Sequence, residues 1–186
     1  MSKMIKLAMV VENIIQIGNP ILRNKNQVIK NIKNAEVIKT IENLVDTMRH
    51  FGMVGTAAPQ IGVNLNIFVT EIRKTEYRKT NDIDELRVFI NPKIVWKSQK
   101  EVIMYEGCSS VSHSDFFGPV KRPEKIKVIS LNEKGEKIKL KANGLLARVI
   151  QHEYDHLVGI EFVEKIIDLK KIMAKSEYLK MVEKSK

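Results

Sequence analysis

The spacing of apolar residues changes character along the chain and divides it into helical and extended stretches. Val37, Ile38, Ile41, Leu44, Val45 and Met48 recur at separations of one, three and four, which predicts an amphipathic helix over residues 36–51. Asn34 stands where an N-cap is needed, and Phe51-Gly52 closes the segment. Residues 66–72 then form a β-branched run, followed by a polar stretch over 73–86 that reads as an exposed loop or hairpin tip. Short strands are expected at 88–90, 93–96 and 101–105, with Asn91-Pro92 separating the first two. Residues 126–131 and 136–140 flank Asn132-Glu133-Lys134-Gly135, a hairpin signal. The helical period returns over 144–157, where Leu145, Leu146, Val149 and Ile150 share a face and Asn143 is the candidate cap. A last amphipathic helix is predicted over 167–183 from Ile167, Ile172, Met173, Leu179 and Val182. Strands gathered together rather than alternating with helices predict an α+β fold, with short antiparallel or mixed strands packed around a central helix and one further helix toward each terminus.

Composition narrows the class. A chain of 186 residues with 44% hydrophobic and 29% charged positions supports one domain with a core of its own. Its single cysteine cannot close an internal disulfide, so nothing calls for an oxidising compartment. The apolar run at 7–11 is too short for a signal-peptide core, and no run approaches the roughly 18 apolar residues of a membrane span. The expectation is a soluble, cytoplasmic protein without a membrane partner. The net charge of +10 is carried mostly by lysine. It permits a polyanionic partner, although a solvated lysine-rich surface is the commoner reason for such an excess.

The chemistry concentrates in Gln151-His152-Glu153-Tyr154-Asp155-His156. A helix turns about 100° per residue, so positions four apart lie within roughly 40° on one face. His152 and His156 can aim two imidazoles at one divalent ion, with Glu153 beside it as proton acceptor for a metal-bound water. A catalytic centre of this kind takes three protein ligands and keeps a position for water or substrate. Cys108 is the natural third ligand, because it is flanked by Gly107 and two serines rather than embedded in an apolar run. A buried small hydrophobe is the plainer reading of a lone cysteine. His113 is a rival ligand within a polar loop, and His50 ends the first helix, where a histidine suits the C-terminal dipole. One thiolate and two imidazoles accept Zn, Fe, Ni or Co alike.

Three separated segments resemble the peptide deformylase family. The first motif, Gly-x-Gly-x-Ala-Ala-x-Gln, is met at four of five specified positions by Met53-Val54-Gly55-Thr56-Ala57-Ala58-Pro59-Gln60. The second reads Glu106-Gly107-Cys108-Ser109-Ser110, and the third is complete at residues 151–156. The resemblance runs from about residue 14 to 165. It implies a metallo-hydrolase that removes the N-formyl group from the initiator methionine of nascent polypeptides and releases formate. The ion is held by Cys108, His152 and His156, with Fe2+ as the physiological metal and Zn2+, Ni2+ or Co2+ able to substitute. It also implies that Glu153 acts as general base and then acid on a metal-bound hydroxide and the leaving amine. Gln60 and the backbone N–H of Ser109 would stabilise the formyl oxygen. Gly55 would pair with the extended substrate, and Val54, Leu145 and Val149 would line the methionine pocket with the stem of Arg148 near its rim. Glu106 and Arg122 would either orient a ligand or form a plain surface salt bridge.

Three positions depart from the pattern, and the loop at 112–118 differs from the Pro-Gly usual after the second motif. Met53 replaces a glycine, while Thr56 and Ser109 stand where leucine is common, which puts substrate range in question. A zinc peptidase using the same helix is the alternative enzyme; its third ligand would be Glu161, Glu164 or Glu177, leaving Cys108 idle. The other alternative is a metal-stabilised module that binds RNA or ribosomes. Residues 165–186 carry seven lysines against Asp168, Glu177 and Glu183. Such a basic C-terminal helix and tail, taken as 167–186, suits ribosome docking within one catalytic domain spanning 1–186.

Overall fold

The computed structural model describes residues 10–74 and 82–184. The apolar run at 7–11 falls largely outside them, as do half of the polar stretch over 73–86 (residues 75–81) and the last two residues of the tail. Helix α1 (Ala35–His50) is capped by Asn34, whose side chain accepts from the Glu36 N–H at 2.9 Å, as the cap signal predicts. Its stripe of Val37, Leu44 and Met48 is buried against Ile67, Val69, Val88 and Ile90.

Eight strands follow in two antiparallel sheets. β1 (Gly55–Ala57), β2 (Ile67–Ile72), β3 (Asp84–Lys97), β6 (Lys125–Leu131) and β7 (Lys137–Asn143) form the larger sheet in the order β1-β2-β3-β6-β7. β4 (Glu101–Glu106), β5 (Phe116–Pro123) and β8 (Met173–Ala174) form the smaller, with β5 central. α2 (Gly144–Leu157) packs its Ala147, Ile150 and Leu157 on Phe68, Phe89, Ile126 and Val128 of the larger sheet. β2 and the middle of β3 are therefore buried on both faces, so Ile67-Phe68-Val69 is apolar at every position, whereas β6 and β7 alternate between more and less buried residues. The architecture is α+β, with every named strand pair antiparallel.

Four expectations need correction. Asn91-Pro92 does not end a strand: β3 runs straight through, with a register shift between Ile90 and Lys93. Asn91 sits at φ +51° and its side chain bonds both N–H and C=O of Ile29, which compensates for the interrupted ladder. β5 was not expected, because Gly118-Pro119 and Arg122-Pro123 punctuate it. Asn143 occupies the N-cap position of α2, but its side chain makes no capping bond. The C-terminal helix α3 begins only at Lys175 and ends at Lys184. Residues 167–174, which periodicity assigns to it, instead run along β5, from the bond of Ile167 N to Pro119 O to the pairing of Phe117 with Met173. No helix among the described residues is long and apolar enough to cross a membrane.

Candidate active site

α2 carries an unusual load for an interior helix. Arg148, Gln151, Glu153, Asp155 and His156 are all buried, whereas charged side chains are almost never interior unless paired. Each has an assignable partner or role. The Gln151 amide donates to Pro123 O and Ala147 O, tying β5 to the helix. Asp155 accepts from Arg122 and from Lys165 at 2.8 Å. Asn26 donates to Leu157 O at 3.0 Å and holds the helix end.

His152, His156 and Cys108 converge. Their ligand atoms lie within 4.8 Å of one another, and Cys108 Sγ is 3.3 Å from His156 Nε2. The far side of each ring is also addressed. Glu106 Oε2 lies 2.9 Å from His152 Nδ1, and the fully buried Glu161 places Oε1 3.4 Å from His156 Nδ1. The bond to Glu106 fixes the tautomer of His152 and turns its other nitrogen toward the shared point, while Glu161 stands behind His156 as a counter-charge without a hydrogen bond between Oε1 and Nδ1. Burial pushes the Cys108 thiol up, but the His156 and His152 rings beside it outweigh that and bring it down to about 6. The sulfur is thus poised as thiolate, the form that binds metal. Burial disfavours a charged His152, yet Cys108 and Glu106 raise it to about 10, so protons compete with a cation for this cluster.

These residues suit a divalent ion: a thiolate and two oriented imidazoles form a three-ligand set for a catalytic ion. The Glu153 carboxylate adjoins it, with one oxygen lacking any hydrogen-bond partner among the described residues. Burial raises Glu153 to about 7, against the lowering pull of His152 and His156. Gly55 makes room for it. A Cβ there would meet Glu153 Oε1 at 2.5 Å, so only glycine lets β1 pass this close.

Glu106 anchors a larger network than a surface salt bridge. Arg122 donates to it through Nε at 2.7 Å and Nη2 at 2.9 Å, and Arg148 donates through Nη1 at 2.8 Å. Arg148 departs from its expected place at a rim. It does border the cavity, but its guanidinium is turned inward to Glu106, Val120 O and Val102 O.

One cavity of about 790 Å³ is bordered by Val54, Gly55, Gln60, Ser109, Leu145 and Val149, together with Cys108, His152 and Glu153. His156 is buried behind it. The Gln60 side chain accepts from Ala57 N at 2.9 Å, which directs its NH2 toward Ser110 Oγ at 3.2 Å and Cys108 Sγ at 3.5 Å. Residues 15–17 brace these loops: Ile15 N donates to Gln60 O, Ile17 N to Ser110 O, and Gln16 Nε2 to Ser109 O. Of the three positions that depart from the family pattern, Met53 meets both of the others. The Met53 sulfur accepts from Ser109 Oγ at 3.0 Å and lies 3.9 Å from Thr56 Oγ1, so the longer side chain at 53 occupies space beside the shorter one at 109.

The rival ligands stand elsewhere. His113 is exposed, with Nδ1 3.4 Å from Gln16. Glu161 backs His156, Glu164 pairs with Arg23, and Glu177 is exposed against Lys180. His50 borders the cavity mouth and meets Phe51 edge-on. Sequence reasoning weighed Glu161 only as a ligand; no local spacing links it to the back of His156.

Known proteins resemble this chain in sequence and fold. The family described as Polypeptide deformylase matches residues 11–172. A Peptide deformylase from Carboxydothermus hydrogenoformans is 43% identical over 157 residues, covering 84% of this chain and 94% of that protein. Peptide deformylase 1 of Ralstonia nicotianae is 38% identical over 162 residues, covering 87% and 90%. Among solved structures, a class I type b peptide deformylase from Acinetobacter baumannii, bound to Met-Ala-Ser, superposes with a TM-score of 0.78 at 31% identity, covering 86% of this chain and all of that one.

Proposed function

The chain belongs to the polypeptide deformylase family, and from that premise we propose that it removes the formyl group from the N-terminal methionine of nascent polypeptides, releasing formate. The observation that carries this reading is the convergence of Cys108, His152 and His156 within 4.8 Å, beside a buried Glu153, on one cavity. A divalent ion held by those three side chains would supply a Lewis acid that polarises the formyl carbonyl and acidifies a water. Fe2+ is the physiological metal in this proposal, and Zn2+, Ni2+ or Co2+ support the same ligand set.

The remaining steps belong to the chain's own groups. Glu153, held near neutrality by burial, takes the proton of the attacking water and passes it to the leaving amine. The Gln60 NH2 and the Ser109 N–H donate to the formyl oxygen as it gains charge. Among the described residues β1 is the edge strand of its sheet and pairs with β2 alone. Its other side is available to an extended peptide, and Gly55 keeps the approach open. Val54, Leu145 and Val149 receive the methionine side chain. The Acinetobacter baumannii relative was solved with Met-Ala-Ser bound, which supports a short peptide as the class of ligand. In this reading the protein works in the cytoplasm as a single domain, and basic α3 and its tail dock on the ribosome.

Formate release from formyl-Met-Ala-Ser by anaerobically prepared protein tests the proposal. Turnover that tracks bound metal is expected. Metal-loaded protein that leaves the formyl group intact while cleaving internal peptide bonds would replace this reading with the peptidase one.

A further inference from the structure

α3 lies beyond the segment that matches the family, which ends at residue 172. Its start is nonetheless fixed: β8 pairs with β5 immediately before it, and Lys175 N donates to Asp115 O at 2.8 Å. Lys175, Tyr178, Leu179 and Val182 fall at separations of three, four and seven, one stripe of a helix. That stripe borders the cavity that holds Cys108 and Glu153. None of the helix's residues is buried by the rest of the chain. Tyr178 instead stacks on Phe117, with ring centroids 4.1 Å apart and planes within 8°, and lies 6.0 Å from Tyr105. Phe117 in turn covers Gly107, where a Cβ would come within 2.9 Å of its ring, directly beside Cys108. An apolar stripe held in place by aromatic stacking, yet left half-exposed above a reactive centre, is built to be covered by what enters the cavity.

We propose that Tyr178, Leu179 and Val182 form a subsite for an apolar side chain at the second or third residue of the peptide, so that α3 makes this protein selective beyond the methionine. The inference rests on the deformylase reading for its substrate class, and its geometry is independent of the ribosome. Val54, Leu145 and Val149 take the first side chain, while the stripe on α3 borders the same cavity from a different element. Removing apolar surface from water on both partners favours leucine over serine there.

The test uses the full-length, metal-loaded protein. It measures kcat/KM for formyl-Met-Ser-Ser, formyl-Met-Leu-Ser and formyl-Met-Ser-Leu, and equilibrium affinities for the same peptides without the formyl group. At least one leucine peptide should exceed the serine peptide by about tenfold in both measurements. Leu179→Ser and Val182→Ser should each shrink that ratio several-fold, whereas a merely structural α3 would lower all peptides together and leave the ratio standing. Ratios within about twofold of one for the wild-type protein, or ratios unchanged in both variants, would overturn the subsite. Absent formate release with the binding preference intact would overturn the deformylase reading and leave the subsite in place.

Discussion

Replacing Glu106 with glutamine keeps the shape of the side chain and removes the charge on which three neighbours depend. Oε1 accepts from Arg122 Nε and Arg148 Nη1, while Oε2 accepts from Arg122 Nη2 and faces His152 Nδ1. Whichever way the new amide turns, its NH2 meets donors. Glu106 is 6%, Arg122 3% and Arg148 5% exposed, so water cannot take over the lost role. Breaking a buried ion pair by removing one partner costs about 3–5 kcal/mol, and an orienting group behind a ligand histidine is worth roughly 10–100-fold in metal affinity. Glu106→Gln should therefore lose about 3–5 kcal/mol in urea unfolding of the metal-free protein and bind Zn2+ at least tenfold more weakly in chelator competition. Burial pushes the Glu106 carboxyl up, but Arg122 and His152 hold it well below the usual carboxylate range. A carboxyl depressed on folding contributes its stability above its unfolded pKa of about 4.3 and loses it as pH falls toward the folded value. The gap between wild-type and variant stabilities should accordingly begin to narrow below about pH 4 and close only as pH approaches the folded value. Burial disfavours the Arg148 charge and Glu106 offsets only part of that, so Arg148→Met in the Glu106→Gln background should recover some of the loss. A loss under about 1 kcal/mol with unchanged metal affinity would refute the reasoning, because it would place the network at the level of an exposed salt bridge.

Three further outcomes follow from the site. Glu153→Gln should lower kcat by about 100- to 10,000-fold with metal content intact by elemental analysis, since it removes the proton acceptor and no ligand. In Gly55→Ala the new Cβ would stand 2.5 Å from Glu153 Oε1, about 1 Å inside ordinary contact at 3.4 Å; displacing the carboxylate that far should cost about 100-fold in kcat/KM with the melting temperature little changed, and wild-type kinetics would show that β1 does not set the Glu153 position. Glu161→Ala should weaken Zn2+ binding about 10–100-fold in chelator competition, as expected for a carboxylate that orients His156; undiminished affinity would leave that buried carboxylate without a role at the centre.

How legible each part was in the sequence depended on whether its cause was local. α1 and α2 were readable because their apolar stripes and their ends lie within one helix. The pair His152 and His156 was readable for the same reason, four residues being one helical turn. β5 was hidden because its pairing with β4 overrides two prolines and a glycine that locally signal turns. The start of α3 was misplaced because Ile167 and Met173 carry a helical spacing but are claimed by β5. The support of the site was the least readable part. Arg148 lies 42 residues from Glu106 in sequence, Glu161 reaches His156 across the end of α2, and Met53 meets Ser109 over 56 residues. Only the fold brings these groups together, and no pattern along the chain announces them.

X-ray absorption at the metal edge of the loaded protein addresses the central claim most directly, because it counts sulfur and nitrogen around the ion. The account predicts one sulfur at about 2.3 Å and two imidazole nitrogens at about 2.0–2.1 Å for Zn2+, with the sulfur lost in Cys108→Ala. A first shell of nitrogen and oxygen alone in the unaltered protein would contradict it.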